Sequence, residues 1–170
     1  EAVGQRSAAA GDTLAFGDAL LHVNLGTVLD NLKQPDEAIM QFEKAVAIEP
    51  DRADYQFRLG YLCMREGRLV RAESASETAV TLLPTYEDAW GMLTEVRFRQ
   101  GKFTEAVDAI AAGRRNLPDS ENMQESMRRA YRIAVTQLRR AGRHTEAEML
   151  VKQGIERDGM DPAIWSGDGG

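Results

Sequence analysis

The chain has 170 residues, 43% of them hydrophobic and 28% charged, enough for a packed core and too apolar for a disordered segment. Its net charge of −6 disfavours general nucleic-acid binding, which draws on a cationic surface. A single cysteine, Cys63, excludes an intrachain disulfide and a cysteine-cluster metal site, and the compartment stays open between cytoplasmic and periplasmic.

Glu1-Ala2-Val3-Gly4 has neither the basic start nor the apolar stretch of a signal peptide, and no later run is long and apolar enough to span a bilayer. The chain opens without Met and reads as a processed or excised piece of something longer. Aromatic residues are only 6% while alanine is abundant, which favours close helix–helix packing over a sheet.

One interval organises the rest. Pro50, Pro84 and Pro118 are each 34 residues apart; so are Leu25, Leu59 and Leu93, and Ala38, Ala72 and Ala106. Gly26 and Gly60 keep the interval, with Thr94 in the third place, and Ala45 and Ala79 keep it, with Gly113 next. Small and apolar residues aligned at one period mark stacked supersecondary units.

In chain order, residues 1–18 come first. Glu1-Ala2-Val3 resembles Glu105-Ala106-Val107, so residues 1–13 read as the second helix of a repeat whose first helix is missing, followed by a linker to 18. Such a helix must rest against the hairpin at 19–48, with apolar surface left for self-association or for an upstream repeat.

Residues 19–52 form the first full unit. His22, Leu25, Gly26 and Leu29 recur at helical spacing, a turn follows at Lys33-Gln34-Pro35, and the second helix carries Ala38, Phe42 and Ala45. Pro35 suits the first helical turn, where a missing N–H costs nothing. The units at 53–86 and 87–119 repeat the plan, with Gly67 and Gly101 at the turns. Gly26 facing Ala38, and Gly60 facing Ala72, let antiparallel helices approach closely.

Residues 120–158 read as a lengthened fourth hairpin. Ala141-Gly142-Arg143-His144-Thr145-Glu146-Ala147 resembles the stretch 100–106, but Gly142 lies 41 residues after Gly101, seven more than the period. Seven residues are about two helical turns, and Met123, Met127, Ala130, Tyr131, Ala134, Val135 and Leu138 form the apolar stripe of the longer helix. Residues 159–170, rich in Gly and Asp, read as a flexible tail.

These residues resemble the tetratricopeptide repeat, whose pattern is W-x2-L-G-x2-Y, then A-x3-F, then P. His22, Leu25-Gly26, Leu29, Ala38, Phe42 and Pro50 fill it once; Leu59-Gly60, Cys63, Ala72, Ser76 and Pro84 fill it again; Trp90, Leu93, Ala106, Ile110 and Pro118 fill it a third time, with Thr94 and Arg97 departing. The resemblance implies an all-α fold, a right-handed solenoid of stacked antiparallel hairpins. It also implies a non-catalytic interaction module, a scaffold or adaptor, or alternatively a docking or regulatory segment of a larger enzyme or export machine.

No phosphate loop, zinc-protease or nucleophile-elbow motif occurs, and no cofactor is expected. His22 reads as a partly buried structural residue, His144 as a helix start, and Cys63 as a small buried filler. Arg128, Arg129, Arg132, Arg139, Arg140 and Arg143 lie in a segment without an acid. It suits an anionic partner, or is a solvated face paired with nearby carboxylates; an acidic protein fits best, because the rest of the chain is acidic.

By the same resemblance the first helix of each hairpin lines a groove. The residues facing into it would be Asn24 in the first hairpin, Phe57, Arg58, Tyr61, Met64 and Arg65 in the second, and Met92, Glu95, Phe98 and Arg99 in the third. Arg132 and Arg139 would follow from the long helix. Some family members hold a peptide's terminal carboxylate in a Lys/Asn/Arg clamp; Val23, Thr27, Asp88 and Met92 occupy the clamp places here. The groove is therefore expected to take a segment with apolar anchors and acidic neighbours, since aromatic and Arg residues are the usual anchors.

Overall fold

The computed structural model describes the backbone of residues 4–165 and the side chains of 17–162 and Trp165. Every regular element among them is helical, and the chain divides into two compact units, residues 1–83 and 84–170.

The first unit holds α1 (Gly4–Asn31), α2 (Pro35–Ile48), α3 (Ala53–Arg65) and α4 (Leu69–Leu82). α1 pairs with α2, α3 pairs with α4, and α3 also packs on α2. The second holds α5 (Glu87–Arg99), α6 (Phe103–Asn116), α7 (Glu121–Arg140), α8 (His144–Glu156) and a 3-10 turn at Pro162–Trp165. Here α5 pairs with α6, α7 with α6 and α8, and the turn lies on α7.

All four hairpin turns share one construction. Gly67, Gly101 and Gly142 take φ of +73°, +74° and +73°, and Lys33 takes +63° at the corresponding place. The residue after each bonds back five positions: Gln34 N donates to Leu29 O, Arg68 N to Cys63 O, Lys102 N to Arg97 O and Arg143 N to Leu138 O, at 2.8–2.9 Å. A left-handed residue with this bond satisfies the last carbonyls of a helix and reverses the chain. Pro35 then stands at the first helical positions of α2.

Small residues set the helix spacing. Ala38, Ala45, Ala72, Ala79 and Ala106 are fully buried. Gly26 lies against Phe42: a Cβ there would stand 3.0 Å from the Phe42 ring. Three buried polar side chains are satisfied locally. Ser76 Oγ donates to Ala72 O at 2.6 Å, Thr94 Oγ1 to Trp90 O at 2.8 Å, and Trp90 Nε1 to Pro84 O at 2.8 Å. Ser120 caps α7, accepting from Met123 N at 3.0 Å and donating to Glu87 at 2.9 Å.

α7 has 20 residues against 13 in α3 and α5, which absorbs the seven extra residues of the longer interval. Expectations for the two ends of the chain are corrected. No break separates an orphan helix at 1–13 from a linker: α1 is continuous from Gly4, while residues 1–3 lie outside the described residues. Leu25 is exposed, although its counterparts Leu59 and Leu93 are buried.

The segment from Gly159 is no loose tail as far as Trp165. Met160 is buried, and Met160 N donates to Gly154 O at 2.8 Å. Trp165 meets the Tyr131 ring edge-on, centroids 5.8 Å apart. Residues 166–170 lie outside the described residues.

Candidate partner-binding surface

In the first unit the expected groove residues lie along one side of α3, with Asn24 on α1. Phe57 and Tyr61 are one helical turn apart and their rings stack, 6.3 Å between centroids at 26°. Phe57 is half-buried, Tyr61 is 49% exposed, Arg58 and Asn24 are exposed, and Met64 is half-buried. Arg65 is not idle: its guanidinium forks onto Asp30 of α1 and reaches Glu66 at 3.1 Å. The hydrogen bond from Arg65 holds the Asp30 carboxyl below its usual range. An anionic partner at Arg65 must displace Asp30 or share the fork with it.

In the second unit a recess of about 210 Å3 runs between α5 and α7, lined among others by Thr94, Glu95, Phe98, Ser126, Arg129 and Ile133. Two expected residues, Glu95 and Phe98, meet there. Glu95 accepts from Arg99 Nε at 2.7 Å, one turn along α5. Phe98 is backed by Phe103, ring centroids 6.3 Å apart.

Others fall elsewhere. Met92 is buried in the core, one residue round the helix from Gly91, which does line the recess. Arg132 is exposed on α7 but outside the lining, and Arg139 lines a separate recess with Val151, Lys152 and Ile155 of α8. Ser126, Arg129 and Ile133 were missed; the signal for them was their spacing of three and four on the face of α7 next to its buried stripe.

The arginine-rich segment is partly engaged: Arg128 pairs with Glu125 at 3.5 Å and Arg143 with Glu146 at 2.6 Å. His22 is half-buried and its Nδ1 lies 2.8 Å from Gln41 Oε1. Cys63 is buried, and desolvation pushes its thiol up, away from the thiolate a nucleophile needs. No group of three His, Cys, Asp or Glu among the described residues could hold a metal ion, and no described helix is long and apolar enough to cross a membrane.

Two family models, each described as tetratricopeptide repeat, match the chain, one over residues 23–87 and the other over 64–130. The chain belongs to the tetratricopeptide repeat family. Those matches run through both compact units and overlap at the second hairpin. No curated protein matches the chain.

Solved structures, among them tetratricopeptide domains, share its fold. The Sgt2 domain from Aspergillus fumigatus is 21% identical with a TM-score of 0.61, covering 74% of this chain and 82% of that one. MamA is 21% identical at 0.60, covering 83% and 78%. The second domain of human RPAP3, in complex with the HSP70 peptide SGPTIEEVD, is 16% identical at 0.60, covering 68% and 97%.

Proposed function

We propose that the chain is a non-catalytic protein-interaction module that holds a peptide or protein segment on the first-helix faces of its hairpins. The observation that carries this reading is the stacked Phe57–Tyr61 pair, which leaves a large aromatic side chain half in solvent beside the exposed Arg58. An exposed aromatic flanked by arginine is the side-chain chemistry of interface anchors. Tetratricopeptide membership supports it, and so does the peptide complex of RPAP3.

The segment offers apolar side chains to Phe57, Tyr61 and Met64 in the first unit, or to Phe98 in the recess of the second. Its acidic neighbours meet Arg58 or Arg129. The chain does not hold a chaperone-type carboxylate tail: Val23, Thr27, Asp88 and Met92 stand at the clamp places, and two of them, Val23 and Met92, are buried. None of the four is a cation that could pair with a terminal carboxylate.

Selection of peptides from a random display library on the 170-residue chain tests this. Peptides rich in Leu, Phe or Ile beside Asp or Glu are expected to emerge. The double substitution Tyr61→Ala with Arg58→Glu should weaken their binding by roughly 2–4 kcal/mol, as loss of an interface hot spot does, with the helical circular-dichroism signal unchanged. Full affinity in that folded variant places the surface elsewhere on the hairpins.

A further inference from the structure

The outward face of α1 is unexplained by any partner-holding surface described so far. Leu21, Leu25, Val28 and Leu32 are 62%, 43%, 52% and 65% exposed. Their spacings of 4, 3 and 4 make one continuous stripe along the helix.

The 34-residue period shows what such a face is for. The counterparts of Leu21, Leu25 and Val28 on α3 are Tyr55, Leu59 and Leu62, only 2%, 6% and 1% exposed. α3 packs on α2, the second helix of the preceding hairpin, as well as on its own partner α4. The second unit repeats the relation by itself. There the counterparts on α7 are Met123, Met127 and Ala130, all buried, and a Cβ on Gly113 of α6 would stand 3.1 Å from Met123 Sδ. In both units this face of a first helix lies against another helix.

The last helix is built the other way. Val107 and Ala111 of α6 are buried, whereas the corresponding residues of α8 are Glu148 and Lys152, both exposed, with Lys152 paired to Glu156 at 3.9 Å. Charges replace apolar residues at these two positions, as they do on the outer face of a capping repeat. Leucines leave the face of α1 open.

We infer that α1 is a self-association surface, on which a second copy of the chain lays its own α1 antiparallel across a twofold axis. Three features select this occupant. The 4-3-4 spacing reads the same in both directions, so reversal sets Leu21 opposite Leu32 of the second copy and Leu25 opposite its Val28. The flanking residues His22, Asn24, Leu29 and Asn31 include no acid and no Lys or Arg, so like charges do not meet along the seam.

The ends are complementary. Asp18, one turn before Leu21, and Lys33, directly after Leu32, are both exposed. The antiparallel alignment brings Asp18 of each copy toward the turn that ends α1 of the other, where Lys33 stands. The remaining acid of this stretch, Asp30, is held by Arg65. An isologous contact of this kind closes after two copies and does not propagate.

Sedimentation equilibrium of the 170-residue chain over a range of concentrations tests the inference. A reversible dimer is expected. Leu25→Glu, at a position already exposed in one copy, should weaken it at least about a hundredfold while keeping the helical signal, because the glutamate enters an apolar seam without a partner. Asp18→Lys should weaken the dimer, and adding Lys33→Asp to it should restore the affinity. A monomer throughout the accessible range overturns the inference and leaves the face to a helix of another protein. A dimer untouched by Leu25→Glu overturns it too, and a charge swap that fails to restore affinity overturns the antiparallel arrangement.

Discussion

Tyr131→Ala is expected to lower stability by about 3–5 kcal/mol, the range for truncating a large buried aromatic. The ring is fully buried in α7 and is the hub of the last hairpin. A Cβ on Gly154 of α8 would stand 3.0 Å from its edge, and Trp165 meets it edge-on. Its hydroxyl donates to Asp158 and lies 3.5 Å from Gln153 Nε2. Tyr131→Phe keeps the packing and loses only the hydroxyl, so it should cost roughly 0.5–3 kcal/mol. Urea titration of both variants separates the two contributions.

Burial first, and then the Asp158 carboxylate, push the Tyr131 phenol well above its ordinary value. A raised pKa means that the fold favours the protonated ring. That contribution is complete below the ordinary phenol range and is lost only as pH climbs above it. Stability near neutrality should therefore not respond to this group.

The second large effect lies at Gly113. A Cβ there would sit 2.7 Å from Trp90 Cγ, 2.9 Å from Trp90 Cβ and 3.1 Å from Met123 Sδ. The methionine can yield, but Trp90 Cβ is fixed to the α5 backbone. Gly113→Ala should therefore destabilise by about 1–3 kcal/mol through overpacking. That outweighs the gain of up to about 1 kcal/mol that alanine brings to a helix interior. Gly91→Ala is the control: a Cβ there meets nothing within 4 Å, and stability should rise by about 0.5–1 kcal/mol. A rise in melting temperature for both variants would contradict the close crossing of α5 and α6.

The hairpin plan was legible because close helix crossings demand small side chains, and Ala38, Ala72 and Ala106 expose that demand at a fixed interval. The seven-residue insertion was equally open, since Gly142 could be aligned with Gly101. What misled was the start. Three residues resembling 105–107 could not show whether the chain turns before Ala19, and no proline lies between residues 1 and 34. Gly11 and Gly17 cost a helix only about 1 kcal/mol each relative to alanine, and α1 runs through both.

The other end misled by composition. Gly159 and Asp161 look like a linker, and the clue against it was Met160 and Trp165, two large apolar side chains with no reason to be in one. At the candidate surface some expected residues of α5 and α7 differ from the recess lining by a rotation about the helix axis. One residue is about 100° of helix, enough to move Met92 into the core beside the recess that Gly91 lines, and to set Arg132 beside Ile133 rather than in its place.

The left-handed residue at the first hairpin turn has a price attached. Lysine in that conformation carries about 1–2 kcal/mol of steric cost that glycine in the other three turns avoids. The same lysine supplies the cation that the inferred antiparallel pair sets beside Asp18. Lys33→Gly should then move two observables in opposite directions, raising the melting temperature of the single chain while loosening the pair. One side chain thereby trades conformational ease for the choice of a companion, and only a measurement of both quantities on the same variant would reveal the exchange.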